Sequence, residues 1–216
     1  DRIEIIPNFV DTDFVHPLPR HNAFSKTHKL DDKFVVLFAG NMGFSQGLEL
    51  VLDAAQRLEK KGDILFLFVG SGVAKPGLQD YAQKMGIENV DFLPFQPREV
   101  LPEMYASSDV CLVPLRRGIA NDSVPSKLLT ITAAARPLIA SVDEESDARY
   151  FVQQAECGLC TDPENSEALV NAIFSLYHDS DLRERLGQNG RAYLENRYTP
   201  KIIARQYATL LKRVVE

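Results

Sequence analysis

The chain has 216 residues, of which 45% are hydrophobic and 25% are charged, a balance that is ordinary for a globular protein with a sizeable core. Its formal net charge of −6 argues against nucleic acid as a partner, because a phosphate backbone attracts a basic surface. No apolar run approaches the roughly 18 residues of a membrane span. Three cysteines, an odd number, predict reduced thiols in a cytoplasmic protein. Because the first residue is Asp1 rather than Met, we expect a piece of a longer polypeptide.

The segment before residue 34 contains two patterns that could indicate a metal site. Ile3 to Ile6 is predicted to be a short strand, and residues 16–33 a surface loop with one helical turn. Asp11-Thr12-Asp13 has the bare Asp-x-Asp pattern of metal-dependent sugar transfer, but nothing nearby suggests a second ligand, so we predict a polar turn. Three histidines in the loop lack the tight spacing of metal ligands and are predicted to be solvated: His16, His21 and His28.

The most informative stretch begins with six apolar residues, 34–39, which are typical of a buried parallel strand. Gly40 and Gly43 follow, and apolar residues then recur at helical spacing from Leu48 to Ala55. Since glycine has no side chain, backbone N–H groups and the helix dipole can face an anion there. This turn is either a pyrophosphate seat or a strand–helix turn that binds nothing, and the turn alone does not decide between them.

Strand and helix then alternate at roughly 25-residue spacing, which predicts an α/β fold: a Rossmann-like, doubly wound parallel sheet of about six strands with helices on both faces. Such sheets bind ligands beyond the carboxyl ends of their strands. Further strands are predicted at 64–69, 90–93, 110–114 and 138–141, and helices at 76–85, 99–107 and 128–135. The loops expected at the binding edge are 40–47, 70–76, 94–98 and 115–127.

The end of the chain is predicted to be helical. Cys157 and Cys160 have the spacing of a redox or zinc pair, but no second pair and no strand–CxxC–helix context supports that function. The acidic run 143–147 is predicted to cap the helix that follows it. Earlier in the chain, Gly62 is predicted to end the helix that contains Leu48 and Ala55. Closing helices are predicted at 166–178, with Ser166 as its cap, at 181–196 and at 200–215.

One lysine in the fourth loop points to phosphate. Ser126 is the candidate N-cap of the helix at 128–135, and Lys127 lies in its first turn. A cation there opposes the helix macrodipole unless an anion is bound. Lys127 therefore favours phosphate binding, while a lysine that only extends into water is the alternative.

Seven short motifs, each weak alone, occur in an order that resembles a known family. They are Ile5-Ile-Pro-Asn-Phe-Val-Asp11, Gly40-Asn-Met-Gly-x-x-Gln-Gly-Leu48, Val69-Gly-Ser-Gly72, Asn89-Val-Asp-Phe-Leu-Pro-Phe95, Ser108-Asp-Val-Cys-Leu-Val-Pro114, Val124-Pro-Ser-Lys-Leu-Leu129 and Arg136-Pro-Leu-Ile-Ala-Ser141. The series resembles the C-terminal half of a family 4 (group 1) glycosyltransferase with the GT-B fold. Within this family, the motif series is most similar to the bacterial group of fucosamine and amino-sugar transferases of surface polysaccharide synthesis.

The resemblance implies a domain organisation. Residues 1–216 would form a single donor-binding domain, and the N-terminal acceptor-binding domain would be absent from this chain. The C-terminal helix, 198–216, would pack back toward that missing domain, or would otherwise expose an apolar face or dock elsewhere.

The resemblance also implies a reaction. A nucleotide-sugar, with UDP-sugars favoured over GDP-sugars, would be the donor for retaining, metal-independent transfer, and no cofactor would be required. The acceptor would be a glycan or a lipid-linked glycan, in polysaccharide or glycoconjugate synthesis. The protein would be cytoplasmic, with a peripheral position at the inner membrane face through the missing domain, and this fragment alone would be inactive.

The family's functional positions carry over residue by residue. Lys127 and Asp122 would be catalytic. The donor-binding residues would be Gly40, Asn41 and Gly43 at the pyrophosphate, Phe95, Leu101 and Met104 at the nucleobase, Ser126 and Lys127 at the phosphates, Thr130 at the ribose, and Gln46 and Gly72 in the surrounding loops.

Five positions depart from the family pattern. Asn41 and Gln46 stand where many members have Arg and Lys, so Lys127, with Arg116 or Arg117, would have to supply the positive charge. Asp122 and Thr130 align with a Glu-x7-Glu pair whose second member normally accepts hydrogen bonds from the ribose, an interaction worth about 1.5–3 kcal/mol. Ala135 stands where glycine is usual.

These departures leave a second hypothesis open, a degenerate nucleotide-sugar-binding or regulatory module without catalysis. A third, a flavodoxin-like nucleotide domain of unrelated function, does not explain the ordered motifs.

Overall fold

The computed structural model describes residues 3–119 and 125–215. In these residues six parallel strands form one sheet in the order β3-β2-β1-β4-β5-β6. The strands are β1 (Phe34–Ala39), β2 (Ile64–Val69), β3 (Val90–Leu93), β4 (Val110–Pro114), β5 (Leu138–Ser141) and β6 (Gly158–Thr161). The predicted Rossmann-like α/β fold with a sheet of about six parallel strands is confirmed.

The predicted bounds of β1 to β5 are confirmed, but the short strand predicted at 3–6 is wrong and β6 was not predicted. Residues 3–6 form no strand, and Ile5 is 88% exposed, because no neighbouring strand pairs with them. The sixth strand is instead β6, which pairs with β5 from Leu138↔Gly158 to Ser141↔Thr161. Cys160 lies within β6, so half of the Cys-x-x-Cys pattern is part of the sheet edge.

Helices connect the strands and follow the sheet. They are α1 (Ala23–Thr27), α2 (Glu49–Leu58), α3 (Lys75–Met85), α4 (Leu101–Ala106), α5 (Lys127–Ala133), α6 (Asp147–Ala155), α7 (Ser166–His178), α8 (Ser180–Glu195) and α9 (Pro200–Val215). Short 3-10 turns at Phe44–Gln46 and Arg98–Val100 precede α2 and α4. The helix predicted at 99–107 is therefore shorter than expected, because its first residues adopt the tighter turn.

Two predicted helix caps are wrong, and a third, Ser126, holds the N-cap position without a side-chain cap. Ser126 precedes α5 but has helical dihedral angles and makes no capping hydrogen bond with its side chain. Asn165, not Ser166, caps α7 by accepting from the amide of Ala168. The helix α2 ends at Leu58, too early for Gly62 to be its cap. In the acidic run, Ser146 provides the side-chain cap of α6.

The core lies on both faces of the sheet, as a doubly wound fold requires. Along β1, Val35 and Leu37 pack in one cluster, while Val36 and Phe38 pack in the other. This alternation follows from the two-residue period of a strand. Because both faces are covered, β1 is apolar throughout, and each large side chain that it buries contributes about 1.5–3 kcal/mol.

A partly buried ion pair fixes the N-terminal loop to the amino edge of the sheet. Asp109, just before β4, accepts from Nε of Arg20 at 3.0 Å and from Nη2 at 2.9 Å, and its Oδ2 accepts from the amide of Val35 at 2.7 Å. The carboxylate thus ties residues before the sheet to two central strands, and the opposite edge is left to the binding loops.

The residues that could suggest a metal site have separate partners. Asp11 accepts from the amides of Asp13 and Phe14, so the Asp-x-Asp pattern forms the predicted polar turn. Nδ1 of His16 lies 2.9 Å from the carbonyl oxygen of Asp13, and Nδ1 of His21 lies 3.0 Å from Asp31. Within 3–119 and 125–215, no group of three His, Cys, Asp or Glu side chains is arranged to hold a metal ion.

All three cysteines are free thiols. Burial raises the pKa of Cys111 and of Cys157 to about 12, and it also raises the pKa of Cys160. Because the thiolate is the reactive form, these thiols are poor nucleophiles at neutral pH.

The last helix leaves an apolar face uncovered. Tyr207, Leu211 and Val214 of α9 are exposed, while Arg213 pairs with Glu4 of the extended N-terminal segment. The helix lengths and compositions in the described residues do not meet the requirements of a membrane span.

Candidate functional site

The candidate site lies where the strand order reverses. β1 and β4 are neighbours in the sheet, but their connections run to opposite sides, and a crevice opens outside the carboxyl ends of strands at such a point. A cleft of about 350 Å³ occupies this position. Its described lining residues are Ala39, Gly40, Asn41, Gln46, Val69, Gly70, Phe95, Gln96, Leu101, Met104, Tyr105, Ser126, Lys127 and Thr130.

Backbone hydrogen bonds join the two loops at the floor of the cleft. The amide of Gly40 donates to Val69 at 2.9 Å, and the amide of Met42 donates to Ser71 at 2.7 Å. Gly70 has a φ of +141°, and a Cβ there would lie 2.0 Å from the carbonyl oxygen of Gly40. Only glycine permits this approach, so the floor is main chain, without side chains that would keep an anion at a distance.

The ammonium of Lys127 lies at this floor. Its Nζ donates to Oε1 of Gln46 at 3.1 Å and lies 4.2 Å from the centroid of the Phe38 ring. A Cβ on Gly40 would come 3.7 Å from the same atom, so the ammonium and the main chain of the first loop are adjacent. Lys127 thus joins the start of α5 to the turn before α2, and its partners are an amide and an aromatic ring rather than a carboxylate.

This environment changes the acidity of Lys127. Burial lowers the pKa of its ammonium from 10.5 to about 8. Lowering the pKa by that amount costs about 3 kcal/mol if the group stays charged. No described lining residue of the cleft is a carboxylate, so an added anion would be the first full negative charge among them.

The two arginines proposed as further sources of charge are directed elsewhere. Arg116 pairs with Glu49 at 3.2 Å, and Arg117 lies 4.0 Å from Glu164. Neither lines the cleft, and Lys127 is the cation among its described lining residues. The structure therefore does not place Arg116 or Arg117 at the cleft, where one of them was expected to supply charge.

Comparison with known proteins agrees with the motif series. Residues 19–193 match the family model described as glycosyl transferases group 1. The chain belongs to this family.

Two bacterial proteins named as glycosyltransferases are similar to this group 1 domain. A putative colanic acid biosynthesis glycosyl transferase, WcaI of Escherichia coli K12, is 35% identical over 144 residues, which are 66% of this chain and 35% of the relative. The probable glycosyltransferase WbjE of Pseudomonas aeruginosa is 27% identical over 208 residues, 96% of this chain and 51% of the relative. The chain thus spans about a third to a half of the length of these relatives.

Solved structures show the same fold. HepE of Anabaena, determined in complex with UDP-glucose, superposes with a TM-score of 0.85 at 20% identity over 97% of this chain and 57% of HepE. Structural neighbours of this kind are GT-B glycosyltransferases, which confirms the predicted fold class of the group 1 domain.

The cleft brings together most of the residues proposed for the donor. Gly43 and Gly72 are not among its described lining residues. Gly72 packs behind the first loop, where a Cβ would lie 2.4 Å from the carbonyl oxygen of Met42, so its position serves the close approach of two loops. Asp122, proposed as catalytic, lies outside the described residues. Those that line the cleft are Gly40, Asn41, Gln46, Phe95, Leu101, Met104, Ser126, Lys127 and Thr130.

One end of the cleft is apolar. Leu101 and Met104 of α4 line it, and Phe95 stands at its rim with 63% of its surface exposed. An exposed aromatic ring beside buried aliphatic side chains offers a face on which a nucleobase can stack. Ala135, after α5, has a φ of +52°, which is the conformation that makes glycine the usual residue there.

Sequence reasoning missed three contributors. Phe38 was assigned only to the buried strand, yet its ring faces the ammonium of Lys127. Gly70 was recognised only as part of a glycine pair. Tyr105 lies four residues after Leu101, and this helical spacing could have placed both side chains on the face that lines the cleft.

Proposed function

We propose that this group 1 domain binds a nucleotide-diphosphate sugar in the cleft, with UDP-sugars favoured over GDP-sugars. In a polypeptide that also carries an acceptor-binding domain, it would transfer the sugar to a glycan or lipid-linked acceptor, with retention of anomeric configuration and without a metal ion. The observation that carries the proposal is the partly buried ammonium of Lys127 beside a glycine main chain at the switch point of the sheet.

The diphosphate is the part of the donor that this geometry favours most. Lys127 has an amide and a ring as partners, and its lowered pKa reflects a charge that is poorly solvated. A diphosphate would supply the counter-charge and accept from the ammonium and from nearby backbone N–H groups. The amide of Asn41 makes no hydrogen bond with a described residue, so it is available for such a contact.

The nucleoside would extend from the diphosphate toward α4. Phe95, Leu101 and Met104 provide an apolar, partly aromatic surface for the base. HepE, whose fold this chain shares, was determined with UDP-glucose, and this supports UDP as the first nucleotide to test.

The chemistry follows from where negative charge develops. When the bond between the sugar and the diphosphate breaks, charge accumulates on the leaving diphosphate. Lys127 would stabilise this charge as a fixed cation in a partly desolvated cleft, where such an interaction is stronger than in water. This role would require the ammonium to be protonated, which the diphosphate itself favours.

The proposal is tested by calorimetric titration of the 216-residue chain with UDP. Lys127→Met keeps the length of the side chain and removes the charge, and we expect a loss of UDP affinity of at least tenfold. Lys84→Met is the matched control, because Lys84 is an exposed lysine of α3 away from the cleft. Equal UDP affinity in all three proteins would contradict the proposal.

A second candidate function rests on the neutral side chains in the cleft. Asn41, Gln46 and Thr130 take the places of charged residues in the family pattern, and this favours a degenerate or regulatory binding module. Titration with UDP- and GDP-sugars separates the two functions. Millimolar or absent affinity for every donor, in this chain and in any longer natural polypeptide that contains it, would support the second.

A further inference from the structure

Two hydroxyl groups in the cleft lack the hydrogen bonds that their surroundings would lead one to expect. Tyr105 is only 6% exposed, and its hydroxyl makes no hydrogen bond with a described residue. Buried tyrosine hydroxyls normally find a partner. Among the described residues, the fully enclosed side-chain polar atoms without a partner belong to Arg20, Asn89, Arg136 and Arg149, so the Tyr105 hydroxyl is not fully enclosed. Tyr105 itself lines the cleft.

The direction of Tyr105 agrees with this placement. The helix α4 begins at the binding edge of the sheet, directly after the loop that carries Phe95. Long side chains of a helix lean toward its N-terminus, so the ring of Tyr105 extends toward Leu101 and the cleft. Burial raises the pKa of Tyr105, so its hydroxyl stays protonated and can donate as well as accept at neutral pH.

Thr130 has a matched comparison within its own helix. The hydroxyl of Thr132 donates to the carbonyl oxygens of Leu128 at 2.8 Å and Leu129 at 3.1 Å, the usual arrangement for threonine in a helix. Thr130 lines the cleft and makes no such bond with a described residue. Its hydroxyl is therefore available to a ligand.

We propose that Tyr105, together with Thr130, binds the ribose hydroxyls of the nucleotide and so replaces the carboxylate that the motif pattern lacks. This inference rests on the proposed function, since it assigns a contact within the same donor site. Two neutral hydroxyls can each donate to, and accept from, the vicinal diol of a ribose. Tyr105 is then a specificity-determining residue that separates ribonucleotides from deoxynucleotides.

The test compares UDP with 2′,3′-dideoxy-UDP by calorimetry. For the unmodified chain we expect UDP to bind more tightly, by roughly three- to tenfold for each hydrogen bond. Tyr105→Phe removes only the hydroxyl, so it should lower the affinity for UDP by roughly three- to tenfold and leave the affinity for dideoxy-UDP unchanged. Thr130→Val should have the same selective effect, and Tyr207→Phe, on the exposed face of α9, is the control that should have none.

Each other outcome contradicts the inference in a recognisable way. Equal affinity of the unmodified chain for UDP and dideoxy-UDP would overturn it without any variant. An equal loss of affinity for both ligands in Tyr105→Phe would show that the hydroxyl stabilises the fold and does not contact the ribose. If UDP binds and depends on Lys127 but Tyr105→Phe has no effect, this inference alone fails. If neither UDP nor GDP binds at all, the proposed function fails with it.

Discussion

Raising the pH through the pKa of Lys127 should weaken the binding of UDP. The pKa of the free ammonium is about 8, so half of the molecules carry the charge at about pH 8 and roughly one in ten at about pH 9. If the diphosphate binds only the charged form, the affinity falls roughly tenfold between about pH 7 and pH 9, which corresponds to about 1.4 kcal/mol.

Binding of UDP should also change the protonation of Lys127 by an amount that can be measured. A bound diphosphate raises the pKa of Lys127, so the complex holds a proton that half of the free molecules lack at about pH 8. Binding should therefore take up about half a proton at that pH, and progressively less toward pH 7. Calorimetric titrations in two buffers with different ionisation enthalpies measure this number directly.

Lys127→Met supplies the control for this experiment. Its residual UDP affinity and its proton uptake should be independent of pH over the same range, while Lys84→Met should behave as the unmodified chain. A pH-independent affinity in the unmodified chain would mean that UDP does not select the charged form of Lys127. The same pH dependence in Lys127→Met would contradict the assignment as well, because the titrating group would then lie elsewhere.

The structure also predicts the stability of four variants, two at the cleft and two elsewhere in the fold. Gly70→Ala should lower the free energy of unfolding by about 2 kcal/mol or more and abolish UDP binding, since its Cβ would lie 2.0 Å from a carbonyl oxygen. Gly77→Ala should instead stabilise α3 by about 0.5–1 kcal/mol, because the added Cβ would have no atom within 4 Å. Asp109→Asn should cost about 3 kcal/mol in urea unfolding because it leaves the guanidinium of Arg20 without its counter-charge, and a loss below about 1 kcal/mol would contradict that role. Lys127→Met should not lower the unfolding free energy at neutral pH, because burying the charged ammonium costs about 3 kcal/mol and its amide and ring contacts offset only part of that cost. A clear destabilisation would mean that the lysine stabilises the fold.

The central strands could be predicted from the sequence because their apolar runs are continuous and end at glycine or proline. β1 and β2 are buried on both faces, so burial alone determines their bounds. β6 has no such run: Gly158-Leu-Cys-Thr161 is an edge strand, and its pairing with β5 depends on tertiary contacts. Residues 3–6 have strand-like composition but no partner.

The candidate site could be predicted in its position but not in its contacts. Parallel strands place their following loops at one edge, so Gly40 and Lys127 could be expected near each other. Their contacts depend on side-chain directions that no periodicity encodes. Gln46 was recognised as a neutral substitute for a lysine, but its hydrogen bond to Lys127 requires the turn at Phe44–Gln46. Arg116 or Arg117 was expected to supply charge because Asn41 and Gln46 replace two cations, and the pairing of Arg116 with the sequence-distant Glu49 could not be predicted.

A crystal of the chain soaked with UDP would show whether Lys127 holds the diphosphate. We expect the diphosphate in the cleft, with an oxygen within hydrogen-bonding distance of Nζ of Lys127 and the main chain of Gly40 and Asn41 beside it. UDP bound elsewhere, or bound in the cleft with the ammonium of Lys127 still held only by Gln46, would contradict the proposed function.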